Sequence, residues 1–396
     1  MNDDATDPWA LDPGIDHLNH GSFGACPRPV LEAQRRWRDR IEADPMGFYV
    51  DVLPRAIEAA RESAARFVGA DPAGFAFVRN ATSGVAAVLG SLALSADDEL
   101  LITNHAYPAC HYALEHAAER RGARVRVVEI AGSPRSPDEV VEPILAAANG
   151  RTRVALIDHV TSPTALVWPV ERIVRALEAR GIAVLVDGAH APGMLPLSVG
   201  ALGASYYTGN FHKWTCAPRG AAFLWARADR RDDLLPPVIS HGWRATRDGG
   251  TRFRALFDWT GTDDPTPWLC VPDAVAFLES LRPGGIAQLQ RDNHALLLRA
   301  RRSLSVALQL DEPTVPESML GSMASLPLPA VSAAHVDALR SLLVRLRFRV
   351  PLFEWPSAGR WRLRVSAQVY NRFEQYERLA GVLADWLAAR EGRPTR

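Results

Sequence analysis

The chain has 396 residues, 47% of them hydrophobic, and its 45 acidic side chains balance 45 lysines and arginines. That neutrality argues against nucleic acid as the main partner, and no apolar run is long enough to span a bilayer. What remains is a soluble globular composition, long enough for a large core and one or two domains.

In chain order, "MNDDATDPWALDPG" opens acidic and lacks the apolar centre of a signal peptide, so a cytoplasmic location is expected. Residues 1–50 read as an arm. The run 51–68 places apolar residues at helical spacing, "FAFVRN" (75–80) is a strand, 84–94 a helix and "ELLIT" (99–103) a strand. A helix around 108–122 is followed by strands at 124–130 and 153–160, a helix at 170–181, the apolar strand "IAVLVDGA" (182–189), and strands at 204–209 and 220–226. Short apolar strands alternating with amphipathic helices predict an α/β fold whose mainly parallel sheet is covered by helices. The tail reads differently. Strands at 322–329, 347–353 and 361–367 and helices around 333–346 and 373–390 predict a smaller α+β unit. The expected division is an arm over 1–50, a large α/β domain over 51–280 and a small domain over 281–396, with a hinge within 265–300. Cys26, Cys110, Cys216 and Cys270 lie far apart without a CxxC, which reads as free thiols rather than disulfides or a zinc site.

One residue type is out of proportion. Lys213, in "GNFHKWTCAPRG" (209–220), is the single lysine among 45 basic side chains. Arginine serves wherever a permanent cation suffices, but it cannot replace an amine that must lose its proton to act as nucleophile or base. Such an amine forms Schiff bases, including the one to pyridoxal phosphate. Two other motifs fall at strand ends, where sheets of this kind bind ligands. "RNATSG" (79–84) opens a helix and suits either an anion or a simple N-cap by Thr82 or Ser83. Asp187 ends the strand "IAVLVD", either as a loop-starting residue or as the carboxylate that holds a pyridinium N–H.

In that order, a phosphate-type turn, an acidic strand end and a lone lysine resemble the fold-type I, class V pyridoxal-phosphate enzymes, and within them the isopenicillin N epimerase-like group. The stretches that carry the resemblance include "HLNHGSFGACPRPV" (17–30), "HVTSPTALVWPV" (159–170), "VDGAHAPG" (186–193), "WTGTDDPTPWL" (259–269) and "RVSAQVYN" (364–371). The resemblance implies that Lys213 carries the cofactor and then serves as the base at Cα, with Asp187 on the pyridine nitrogen. It implies Ala81, Thr82, Asn210 and His212 at the phosphate and Tyr107 stacked on the ring, although a core aromatic is the alternative for Tyr107. Ser162 and His190 fall near the ring's other edge, and Arg364 matches a bidentate site for a substrate carboxylate. Asn19 and His20 border the substrate pocket or cap a loop. Thr262 matches a threonine that reaches the phosphate of the neighbouring subunit, so a homodimer with shared active sites is expected.

The implied substrate is a small molecule, an amino acid activated at Cα–H, with neither nucleic acid nor membrane as partner. No cysteine lies in "RFRVPLFEWPSAGRWRLR" (347–364), which disfavours cysteine desulfurase chemistry. β-Elimination needs one base and a leaving group. The expectation is therefore a C–S β-lyase acting on an S-substituted cysteine in specialised metabolism. An amino-acid epimerase is the first alternative and an aminotransferase the second. A cofactor-sensing regulator would need a basic DNA-binding module, which is not visible in the sequence.

Overall fold

Seven segments, most of them apolar, pair into the central sheet: β1 (Phe75–Val78), β2 (Glu99–Thr103), β3 (Arg124–Val128), β4 (Thr152–Asp158), β5 (Ala183–Gly188), β6 (Tyr206–Asn210) and β7 (Ala222–Ala226). The computed structural model describes residues 7–244, 251–311 and 315–390. Strand order is β1-β7-β6-β5-β4-β2-β3. β7 runs antiparallel to both neighbours, and the other pairs are parallel. β1, β2, β5, β6 and β7 are buried along their whole length, as a sheet covered on both faces requires. Successive residues face opposite sides. Ala155, Ile157, Val184 and Val186 pack with the helices Leu53–Val68 and Val170–Glu178. Leu156 and Leu185 pack with the helices Ala81–Ser91 and Pro108–Glu119.

A second, antiparallel sheet joins β8 (Met323–Pro327), β9 (Leu352–Glu354) and β10 (Trp361–Ser366) in the order β9-β10-β8. Its core takes Val336 and Leu339 from the helix Ala333–Arg345, Leu379 and Leu383 from Phe373–Arg390, and Leu297 and Leu304 from Gly285–Ala307. The single strand expected over 347–353 is two pieces. Phe348–Arg349 pairs in parallel with Asp16–His17, whereas Leu352–Glu354 pairs with β10. Pro351, which has no N–H for a ladder, lies between them.

Where a hinge was expected, the chain is largely helical. The 23-residue helix Gly285–Ala307 puts Ile286 and Leu289 against Trp9 and Leu278, and its other end into the core of the small sheet. Residues 7–50 also bind both parts together. The helix Arg28–Ala43 buries Val30, Ala33 and Ile41 in the main core, while Leu18 sits in the core of the small sheet. The four cysteines are free thiols. Among the described residues no helix is long and apolar enough to cross a membrane.

Candidate active site

Parallel strands bring their carboxyl ends to one edge, and the polar residues that follow them converge there. A cavity of ≈ 340 Å³ opens at that edge, with Ala81, Thr82, Asp187, Asn210, Lys213 and Arg364 in its wall. β1 leads into the N-terminus of the helix Ala81–Ser91. Asn80 caps it by accepting the Ser83 N–H at 2.8 Å, and Asn210, at the end of β6, accepts the Ala81 N–H at 2.8 Å. The Thr82 hydroxyl makes no hydrogen bond among the described residues and faces the cavity at the positive end of the helix dipole.

The floor holds two carboxylates where the sequence singled out one. Asp158 ends β4 and Asp187 lies in β5, and the two are register partners, 2% and 4% exposed. Asp187 accepts the Ala189 N–H at 2.9 Å and the Cys110 S–H at 3.2 Å. Asp158 Oδ2 has no partner. Burial, and then the charge of Asp187, push the Asp158 carboxyl well above the usual carboxylate range, so it is held as the neutral acid. The pattern that marked Asp187, an apolar strand ending in aspartate, is repeated in "VALID" and could have marked Asp158 as well.

Lys213 follows β6 on a loop, and its Nζ lies 3.3 Å from His190 Nε2. Burial lowers its pKa to about 8, against the opposing pull of Asp187. His190 is itself held neutral, chiefly by burial and then by Lys213. Trp214 Nε1–H donates to His190 Nδ1 at 3.5 Å, which leaves the proton on the nitrogen that faces the lysine amine. His212 lines the cavity, with Nδ1 3.0 Å from the Ala221 carbonyl oxygen and a pKa lowered by burial to about 4.

The arm closes over this loop from behind. His20 does not line the cavity. Its Nε2–H donates to the Lys213 carbonyl at 3.0 Å and its Nδ1 accepts the Tyr370 hydroxyl at 3.0 Å, with a pKa lowered by burial to about 4. Gly24 follows at φ 71°, so close that a Cβ there would lie 2.2 Å from the His212 carbonyl oxygen. Asn19 also stands outside the wall and supports Arg364 at 3.4 Å. Both residues therefore brace the site instead of bordering its pocket.

Arg364, in β10, is 5% exposed and reaches the cavity from the small sheet. Nη1 donates to the Ser162 carbonyl at 2.6 Å and to Ser162 Oγ at 3.1 Å, and Nη2 donates to Ser22 Oγ at 2.8 Å. Nε is buried and makes no hydrogen bond among the described residues, and the guanidinium as a whole is a cation that a carboxylate would satisfy. Tyr107, the residue before the helix Pro108–Glu119, is 45% exposed and lines the cavity, which makes it something other than a core aromatic. Thr262 is exposed and stands outside this cavity's wall. Its neighbour Asp263 pairs with Arg79, one residue before the helix cap. Ser22 and Cys110, which touch Arg364 and Asp187, were not singled out from the sequence; neither belongs to a motif that pointed to those partners.

An anion cradle, a carboxylate at a strand end and a buried amine share one cavity. They fit a ring that carries a phosphate, a basic nitrogen and an aldehyde. Residues 46–317 match the family model "Aminotransferase class-V". Isopenicillin N epimerase of Streptomyces clavuligerus is 34% identical over 385 residues, covering 94% of this chain and 95% of the relative. The Amycolatopsis lactamdurans protein of the same name is 36% identical, covering 96% and 97%. A putative L-cysteine desulfhydrase of Oryza sativa subsp. japonica is 31% identical, covering 97% of this chain and 86% of the relative. Among solved structures, the cystine C–S lyase C-DES in complex with cysteine persulfide superposes with a TM-score of 0.80 at 22% identity, covering 94% and 97%, which speaks to the fold alone. By its sequence over most of its length, this chain belongs to the class-V aminotransferase family of pyridoxal-phosphate-dependent enzymes.

Proposed function

We propose that the chain is a C–S β-lyase that converts an S-substituted L-cysteine and water to pyruvate, ammonia and a thiol, working in the cytoplasm in specialised metabolism. The observation that carries this reading is the single base pair in the cavity, Lys213 with His190. Of the other titratable groups in the wall, His212 is tied to a backbone carbonyl, Arg364 is a permanent cation held by Ser162 and Ser22, the two aspartates form the floor and Tyr107 is a phenol rather than a base near neutral pH. Elimination asks for one base, and one base is what these contacts supply.

Pyridoxal phosphate, when bound, withdraws electrons from Cα and makes its proton acidic. Lys213 would hold the cofactor's aldehyde carbon and Asp187 its ring nitrogen. Thr82, Ala81, Asn210 and His212 would surround its phosphate, with Tyr107, Ser162 and His190 about the ring. Arg364, in the cavity wall, binds the substrate carboxylate. Lys213, with a pKa of about 8, takes the Cα proton near neutral pH, and its neighbour His190 keeps the amine oriented. The Cβ–S bond then breaks, the sulfur leaves with the bond pair and takes up a proton, and water hydrolyses the released 2-aminoacrylate to pyruvate and ammonia. No cysteine lines the cavity to accept sulfur, and burial pushes all four thiols upward.

Epimerisation is the second reading, favoured by the two epimerases at 34% and 36% identity and by Tyr107, a partly exposed phenol in the cavity wall. It requires a second proton donor on the face opposite Lys213. Incubation of the holoenzyme with S-benzyl-L-cysteine in deuterated water separates the outcomes. Pyruvate and an equal amount of benzyl thiol are expected. Recovered substrate, racemised and deuterated at Cα without pyruvate, would establish the epimerase. Transfer of the amino group to an added keto acid would overturn both readings. A homodimer with shared sites completes the proposal, supported by the exposure of Thr262 next to a loop tied to Arg79.

A further inference from the structure

A second cavity, of ≈ 480 Å³, adjoins the first and shares four wall residues with it, Ser22, Tyr107, Ser162 and Arg364. Its remaining wall is mostly apolar: Pro108, Tyr112, Pro163, Pro351, Phe353 and Trp355. Three of the polar groups there are already engaged. Glu354 accepts the Gly359 N–H at 2.8 Å, Trp355 Nε1 donates to the Asn104 carbonyl at 2.9 Å, and His111 lies 3.5 Å from Glu115. Tyr112 is 66% exposed and presents an aromatic ring at the solvent side of this wall.

The four substituents of a substrate Cα have different destinations. The proton faces Lys213, the amino group faces the cofactor, and the carboxylate meets Arg364, which stands where the two cavities join. Lys213 is in the wall of the first cavity and not of the second. We infer that the fourth substituent, the side chain, enters the second cavity, and that this vestibule selects amino acids whose side chain ends in an uncharged aromatic or aliphatic group. The inference rests on the reading of the chain as an amino-acid enzyme and deepens it: for a cysteine conjugate, the vestibule holds the S-substituent, which leaves as the thiol. A charged substituent would exchange water for a mostly apolar wall in which Arg364 is taken by the substrate's own carboxylate and Glu354 already accepts the Gly359 N–H, whereas a phenyl group would exchange water for Tyr112, Phe353 and the prolines.

Calorimetric titration of the holoenzyme with two ligands that lack a leaving group tests this without turnover. L-2-Amino-5-phenylpentanoate reproduces the length of S-benzylcysteine, and L-2-aminobutyrate stops short of the vestibule. The wild type is expected to bind the phenyl compound tighter by roughly tenfold or more, as burial of most of a phenyl ring implies. Tyr112→Ser and Phe353→Ser should each shrink that ratio severalfold, while the affinity for 2-aminobutyrate reports that the variants remain folded. Equal affinities in the wild type, or a ratio that neither substitution changes, would overturn the vestibule. The two readings fail separately. A phenyl preference without pyruvate from S-benzylcysteine retains the vestibule and removes the lyase. Pyruvate formed at equal rates from every conjugate, without a phenyl preference in binding, does the reverse.

Discussion

An amine that gives up its proton near pH 8 is a different reagent from an ordinary lysine, whose value lies near 10.4. The shift has a direct kinetic consequence in the chain free of cofactor. Only the neutral amine attacks an aldehyde, so the neutral fraction sets the rate at which added pyridoxal phosphate is captured. Below pH 8 the rate should rise about tenfold per pH unit, bend near 8 and level above it; an unshifted lysine would keep climbing to about pH 10. Stopped-flow absorbance after mixing across pH 6–10 locates the bend. A bend near 10 would show that burial does not tune this amine. At this scale the sequence was informative because chemistry leaves a compositional trace, one lysine kept among arginines. Asp158 left a strand-end pattern like that of Asp187, but nothing in the sequence marked its neutral state. Its raised pKa comes first from burial and then from a register partner 29 residues later in the chain, and both burial and strand pairing are properties of the folded sheet.

Among the elements, the arm has a tight geometric requirement next to the lysine loop. Gly24 occupies φ 71°, ψ 155°, a region open essentially to glycine, and its Cα faces the His212 and Lys213 carbonyls. Gly24→Ala adds backbone strain and a contact at 2.2 Å that must push the lysine loop away. The expected cost is about 2–4 kcal/mol, together with weaker cofactor retention. Urea titration and equilibrium dialysis of pyridoxal phosphate measure the two effects, and a variant equal to the wild type in both would show that the arm does not support the loop. The central strands were legible because they are apolar throughout and bounded by turn residues. The helices Arg28–Ala43 and Gly285–Ala307 were not, although their buried residues recur every three or four positions. Frequent arginines between those residues mask an apolar stripe when the sequence is read as composition. In the helix Asp138–Ala147, Pro143 sits inside the element and argues against it locally, yet the packing of Val140, Val141 and Ile144 in the main core carries the helix through.

At the scale of the whole molecule, the catalytic cavity is assembled from parts far apart in the chain. Arg364 comes from the small sheet, Ser22 from the arm and Lys213 from the large sheet. The proposed homodimer adds a second copy to that list through Thr262. Two individually impaired chains then become informative: one carries Lys213→Ala and the other a substitution of Thr262 by a bulky residue. If sites are shared, a mixed dimer contains one site with neither defect, so mixing and subunit exchange should restore activity towards a quarter of the wild type. Sedimentation velocity of the wild type should give a dimer, and an active monomer would overturn the arrangement. The buried lysine loop has a further use that does not depend on catalysis. A protease that cuts only after unmodified lysine can cleave the unfolded polypeptide at one peptide bond, between residues 213 and 214. Borohydride reduction of the loaded enzyme seals that bond against the protease, because the amine then bears the cofactor permanently. After denaturation and digestion, the ratio of full-length chain to its two fragments on a gel counts the loaded molecules directly, with neither substrate nor spectrum.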